Sequence, residues 1–254
     1  MNHLKTIIAV IAFLIIAVSC KKQPAIPGPT PVNKKLQKIT WVTSSPLTQN
    51  YFYDAQGRLI KYEDEYVTNT YTFNANTVAI KEFRKSESRF VSDITGTTDN
   101  AGRVTNLTGS YAYNINVPYT EQTAFTYDAE GYLKQFTRTN GASVQTYDYT
   151  VTNGDYTKLL YQKTNSGGYT RIADFFTDKT NLSGVGDIPI GPGTHTGLFG
   201  KLNKHLIKFE QLTQQNAPSP SWTYNYSYIL DNNGYVQTFD LTGTSTATGT
   251  YTFQ

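Results

Sequence analysis

From Leu36 to the end of the chain, apolar and polar positions alternate with a period of two. Val67, Asn69, Tyr71 and Phe73 share one face of a strand, with Thr68, Thr70 and Thr72 on the other. Gln145, Tyr147, Tyr149 and Val151 repeat the scheme against Thr146, Asp148 and Thr150. The longest stripe is Trp222, Tyr224, Tyr226, Tyr228 and Leu230, opposed by Ser221, Thr223, Asn225 and Ser227. One aromatic-rich face and one threonine-rich face is the signature of antiparallel sheet with one side in water. The pattern predicts about fourteen strands between Leu36 and Gln254.

The turns between these strands repeat a motif. Asp54-Ala55-Gln56-Gly57-Arg58-Leu59, Asp99-Asn100-Ala101-Gly102-Arg103-Val104, Asp128-Ala129-Glu130-Gly131-Tyr132-Leu133 and Asp231-Asn232-Asn233-Gly234-Tyr235-Val236 share the form D-x-x-G-[RY]-[LV]. The leading Asp can accept hydrogen bonds from amides two residues on, which favours a type I turn. The glycine then takes a left-handed conformation and returns the chain with the twist of a strand pair. Asn74-Ala75-Asn76 and Asn153-Gly154-Asp155 look like worn variants. The copies are irregularly spaced, so they predict a meander of hairpins rather than a solenoid. None carries the further acidic ligands and closing Glu of a calcium loop.

So many hairpins in series predict an all-β fold: a single large curved antiparallel meander, barrel-like or half-barrel. An open flat sheet of that size tends to curl, close or split into two layers. The rhythm breaks from Asn181 to Phe199, a long loop rich in Gly and Pro. Leu198, Leu202 and Leu206 then fall at helical spacing and predict a short helix near Leu198–His205, before a strand at Leu206–Leu212.

The N-terminus belongs to a different regime. Lys5 precedes an apolar run from Ile7 to Val18, too short to span a bilayer comfortably, which reads as a signal sequence over residues 1–19. It ends in Ala17-Val18-Ser19-Cys20, which resembles the bacterial lipobox, so Cys20 is the expected lipid attachment site. Cys20 is the single cysteine of the chain, so no disulfide framework is available. Residues 20–35 contain four of the ten prolines and read as a Pro/Lys-rich tether leading to the domain, 36–254. Five of the 22 Lys and Arg lie before residue 36, which leaves 22 − 5 = 17 against 19 Asp and Glu in the domain. The domain is therefore slightly acidic, and no nucleic-acid partner is expected. A basic tether suits an anionic lipid surface, so the expected partner is the membrane, reached through the N-terminal lipid.

The Tyr53-Asp54 and Tyr127-Asp128 hairpins resemble the YD repeats of bacterial shell-forming and wall-associated proteins. The leader, these hairpins, the block Gly197-Leu198-Phe199-Gly200-Lys201-Leu202-Asn203-Lys204-His205-Leu206 and the Tyr-rich stretch Tyr224 to Asp240 together resemble a family of uncharacterised Bacteroidetes lipoproteins. That family is described as a domain of unknown function with a porin-like fold. Its members more often carry Ser at the position of Asn203. The resemblance covers most of the chain beyond the leader and implies a large curved antiparallel sheet, with no activity attached.

Candidate chemistry is sparse. His195 and His205 form no H-x-H or H-E-x-x-H pair, so no metal site is expected. There is no G-x-S-x-G elbow, and Gly200-Lys201 lacks the rest of a phosphate loop. No catalytic residues and no cofactor are expected. Glu63-Asp64-Glu65 is the densest carboxylate run and reads as a solvated strand end. The aromatic stripe Trp222, Tyr224, Tyr226 and Tyr228 is either the buried face of the sheet or a candidate platform for a glycan or lipid.

These readings describe a lipid-anchored cell-envelope protein, a non-enzymatic ligand-binding or structural module. A glycan-active enzyme with dispersed carboxylates is one alternative. A membrane-embedded β-barrel is the other, opposed by an apolar face of Tyr with few aliphatic residues. Lys21 follows Cys20, so the aspartate that resembles an inner-membrane retention signal is absent, and no acidic residue other than Asp54 of the first turn precedes Glu63. The expected location is the outer membrane, facing the periplasm, on a tether of roughly 40 Å at about 3.1 Å per residue.

Overall fold

The computed structural model describes residues 34–43, 46–112, 119–182 and 197–254. They form sixteen antiparallel strands: β1 (Leu36–Val42), β2 (Leu47–Tyr53), β3 (Leu59–Glu63), β4 (Val67–Asn74), β5 (Thr77–Arg84), β6 (Arg89–Thr98), β7 (Val104–Tyr111), β8 (Tyr119–Tyr127), β9 (Leu133–Asn140), β10 (Ser143–Thr152), β11 (Asp155–Lys163), β12 (Ser166–Thr180), β13 (His205–Gln214), β14 (Trp222–Leu230), β15 (Val236–Gly243) and β16 (Ala247–Phe253). Each strand pairs with its neighbours in sequence, and β1 pairs with β16 to close a barrel. The alternation pattern undercounts the strands by about two, because short polar turns such as 64–66 barely interrupt it.

The period-two pattern has a simple meaning in a closed barrel. Inward positions carry Leu36, Ile39, Tyr51, Tyr71, Val78, Phe125, Phe136, Tyr149 and Phe239, all buried in one continuous core. Outward positions carry threonines and exposed charges: Lys81, Asp93, Lys134, Lys158, Asp174, Lys208 and Asp240. Closure of the barrel depends on a glycine. Gly249 lies opposite Trp41 on one side and Phe239 on the other. The Trp41 and Phe239 rings meet edge to face at 4.8 Å, and a Cβ at Gly249 would collide with the Phe239 ring.

The repeated turns behave as their sequence predicts. Gly57, Gly102, Gly131 and Gly234 have φ of +81°, +78°, +95° and +86°. In each, the glycine amide donates to the Asp carbonyl at 2.9–3.1 Å. At Asp99 the carboxylate accepts from the amides of Ala101 and Arg103, both at 2.9 Å, while Arg103 Nε donates to its other oxygen at 2.7 Å. Asp54 holds Arg58 in the same way. At Asp231, where the residue in the arginine's place is Tyr235, Lys34 supplies the cation instead at 2.7 Å.

The short helix expected near Leu198–His205 is absent. The chain makes a tight turn at residues 197–200 and then runs extended into β13, whose first residue is His205. Its backbone groups go to neighbouring hairpins rather than to a helical ladder. The Val104 amide donates to Leu198, the Lys201 amide to Gly131 and the Lys204 amide to Gly154, each at 2.9 Å. Among the described residues the only helical segment is a single 3-10 turn at Lys85–Glu87. Residues 183–196, most of the Gly/Pro loop, lie outside the described residues, as do Cys20, the leader and the tether up to residue 33.

Candidate functional site

The two ends of the barrel differ. One end carries the D-x-x-G turns and the start of β1. The strap 197–204 crosses this end and buries Leu198 and Phe199 beneath it. Phe199 packs on Phe125 at 5.3 Å, and the Tyr156 amide donates to the buried Asn203 side chain at 2.8 Å. Cations from one element stack on aromatic rings of the next around the rim. Arg58 lies 4.6 Å over Phe73, Arg103 4.5 Å over Tyr127, Lys34 5.0 Å over Tyr235 and Lys201 5.4 Å over Tyr132. This end is a floor.

The opposite end is a mouth whose inner wall mixes aromatic rings with paired charges. Glu121 on β8 is buried, and Arg138 Nε on β9 lies 3.0 Å from its carboxylate. Tyr111 on β7 also hydrogen-bonds Glu121. Burial raises the Glu121 carboxyl above the usual carboxylate range, against the pull of Arg138 and Tyr111. Glu210 on β13 repeats the arrangement: Arg171 Nε on β12 donates to it at 2.7 Å, and the Tyr226 hydroxyl on β14 donates from the other side. Each carboxylate thus has an arginine on one flanking strand and a tyrosine on the other. Burial comes first among the causes that push the Tyr111 and Tyr147 phenols up to about 12, so both stay protonated at neutral pH.

A row of aromatic rings joins floor to mouth. Phe125, Phe136, Tyr147, Tyr161 and Tyr169 are direct cross-strand partners on β8 to β12. Successive ring centroids are 5.7, 4.0, 4.7 and 4.8 Å apart. Phe125 sits near the floor end of β8, and Tyr169 near the mouth end of β12. The row therefore climbs the wall, as a lateral row must when strands tilt about the barrel axis.

The sequence-predicted residues fall as follows. Trp222, Tyr224, Tyr226 and Tyr228 face inward and are half-buried, with Trp222 and Tyr224 at the mouth and their rings 5.0 Å apart. Tyr226 holds Glu210 and Tyr228 packs on Phe176, so the stripe joins wall and core. Trp41, the other tryptophan of the chain, is also at the mouth and donates to Gln49 at 3.2 Å. The Glu63-Asp64-Glu65 run is structural: Asp64 caps the turn to β4 through the Tyr66 and Val67 amides, Glu63 pairs with Lys61 and Glu65 accepts from the Thr48 amide. His205 is held by Asp155 at 2.7 Å from Nδ1, fastening the end of the strap to β11. No group of His, Cys, Asp and Glu among the described residues is placed to hold a metal ion.

Sequence reasoning misses Glu121, Arg138, Arg171 and Glu210. Their signal is parity: Glu121 shares its face with Thr123 and Phe125, and Arg171 with Tyr169 and Ala173. A charge on an apolar face is a charge in the lumen. Two described cavities lie elsewhere. One of about 250 Å³ sits at the floor rim beneath Arg58, Phe73 and Leu198, and one of about 360 Å³ is a threonine-lined groove on the outside of β5–β7. The mouth wall is the better candidate because its two carboxylates are buried and each is paired with an arginine.

No protein-family model and no curated protein matches the chain. Among solved structures it is similar to a porin-like protein from Bacteroides uniformis, with a TM-score of 0.66 and 19% identity over 89% of this chain and 98% of that one. It is also similar to a porin-like protein from Bacteroides vulgatus, with a TM-score of 0.66 and 13% identity over 87% and 99% of the two chains. At these identities the likeness is one of fold.

Proposed function

We propose that this is a lipid-anchored protein of the outer membrane whose barrel is a non-enzymatic module that takes a ligand at its mouth. The observation that carries the reading is the contrast between a floor crossed by the buried strap and a wall of half-buried tyrosines and arginine-paired carboxylates. Both wall carboxylates, Glu121 and Glu210, are engaged by their own arginines, which leaves neither as a ready acid or base and weighs against the glycan-active enzyme. The porin-like fold of the neighbours is compatible with an envelope protein. A barrel embedded in the bilayer is disfavoured by its outer face. Lys81 and Asp93 pair across mid-strand at 3.2 Å, and Asp240 is exposed in the middle of β15. A lysine or arginine facing lipid at mid-bilayer costs about 2–4 kcal/mol. A lipid on Cys20 anchors the chain instead, and β1 begins at the floor end, opposite the mouth. The lack of acidic residues directly after Cys20 supports the periplasmic side.

The test follows both halves of the reading. Cys20→Ala should abolish palmitate labelling and release the protein from the membrane fraction, and the native protein should survive protease added to intact cells. The purified native protein should change its tryptophan fluorescence with a member of a panel of envelope glycans and lipids, because Trp41 and Trp222 both stand at the mouth. Persistent membrane association sinks the anchor, and a silent panel sinks the binding role.

A further inference from the structure

Resting on the ligand-binding reading, we infer that the ligand is an uncharged oligosaccharide seated along the aromatic row Tyr147–Tyr161–Tyr169. Three features of the wall select this chemistry. The first is charge. Glu121 and Arg138 neutralise each other, as do Glu210 and Arg171, so the wall offers a charged ligand no net counter-charge to balance its desolvation. The second is the close spacing of the rings. Tyr161 and Tyr169 stack on one another at an interplanar angle of 30°, and Tyr147 lies 4.7 Å from Tyr161. A row of adjacent phenols offers apolar ring area together with hydroxyl groups, which suits a chain of sugar rings better than a hydrocarbon tail.

The third feature is the amide and hydroxyl chemistry around the row. Gln145 accepts from the Tyr147 hydroxyl at 3.3 Å, and on the other wall Gln49 on β2 bridges Trp41 on β1 and Tyr62 on β3. Beside the row, the hydroxyl of Tyr149, 8% exposed, has no hydrogen-bond partner among the described residues. It borders a cavity of about 10 Å³ shared with Arg171, room for about one water-sized group. On the other wall the amide nitrogen of Asn69, 3% exposed and on the inward face of β4, is likewise without a partner among the described residues. Neutral donors and acceptors that can exchange partners are what a polyhydroxylated ligand needs. A lipid chain would leave them unmet at a cost.

The experiment titrates the mature lipoprotein in detergent with neutral linear hexasaccharides (α-1,4-glucan, β-1,4-glucan and β-1,4-mannan), with hexagalacturonate as the acidic counterpart, and with envelope lipids. One neutral hexasaccharide should bind. Tyr161→Ala should weaken it roughly ten-fold, the loss of a stacked aromatic and its hydroxyl. Tyr161→Phe, which keeps the ring stack, should weaken it less. Phe90→Ala, on the outer face, should leave it unchanged. Melting temperatures of all three variants separate lost binding from lost folding. If hexagalacturonate or a lipid binds and no neutral sugar does, the inference is wrong while the binding role stands. If a neutral sugar binds equally well to folded Tyr161→Ala and Tyr161→Phe, the row is not its seat. If nothing binds, both readings fall.

Discussion

The floor and the mouth of this barrel use the same strands and the same aromatic vocabulary to opposite effect. At the floor, Phe125 and Phe199 are buried together, the strap ties three hairpins by backbone hydrogen bonds, and turn aspartates hold cations at the rim. At the mouth, comparable rings are half-buried, and the charges face inward and pair across strands. The difference teaches that filling a sixteen-stranded barrel requires an element beyond the sheet. Barrels of this strand number enclose more space than their own side chains fill. The strap fills one end, and at the other the inward rings are only half-buried. Stability should therefore concentrate at the floor.

The largest expected effect tests that asymmetry directly. Phe199→Ala should cost about 3–5 kcal/mol, the range for deleting a buried phenyl ring, whereas Trp222→Ala, at the mouth, should cost about 1 kcal/mol or less. Urea denaturation of the two variants measures both. Equal losses would mean that the mouth is packed as tightly as the floor.

Backbone strain offers a sharper and smaller contrast. A Cβ at Gly102, in a floor turn with φ of +78°, meets nothing within 4 Å, and neither does one at Gly167 in the mouth end of β12. Gly102→Val should cost about 1–2 kcal/mol through its left-handed backbone alone. Gly167→Val, at a position without positive φ, should fall within about 0.5 kcal/mol of wild type. A comparable cost at both sites would assign the penalty to something other than φ.

The smallest effect is a response to acid of opposite sign at the two ends. At Asp99 a burial penalty is outweighed by the combined pull of the Arg103 side chain and the turn amides, and the carboxyl is held below its usual range. Its contribution is present above the unfolded-state value of about 3.9 and is lost as pH falls through the folded value. Glu121 is raised by burial, so it favours the fold below about 4.3, and that contribution is lost as pH rises through its folded value. Between pH 7 and 3, Asp99→Asn should flatten the loss of stability, and Glu121→Gln should steepen it. Urea midpoints across that range decide it, and the same slope in both variants would remove the electrostatic contrast between floor and mouth.

Much of the fold is legible in the order of the residues. The inward stripe from Val67 to Phe73 and the glycine of each D-x-x-G turn report local rules: a side-chain period of two and the need for positive φ. The late block Gly197–Leu206 stands out as a motif, yet its leucine spacing points to a helix that does not form. Leucine spacing carries no information about where backbone amides will find partners, and here the carbonyls of Gly131 and Gly154 supply them. The candidate site is hidden for a related reason. Glu121, Arg138 and Tyr111 sit on three strands, and only their cross-strand register makes them one group.

The sequence alone thus determined strand identity, turn geometry and which face of each strand is apolar, because these depend on residues within one or two turns of each other. Whether the meander closed, and which end its strap would seal, depended on pairings between Leu36 and Phe253 and between Leu198 and Val104, far apart along the chain. Those choices are made by strand register and by the volume left inside the closed sheet, and neither quantity exists until the barrel does.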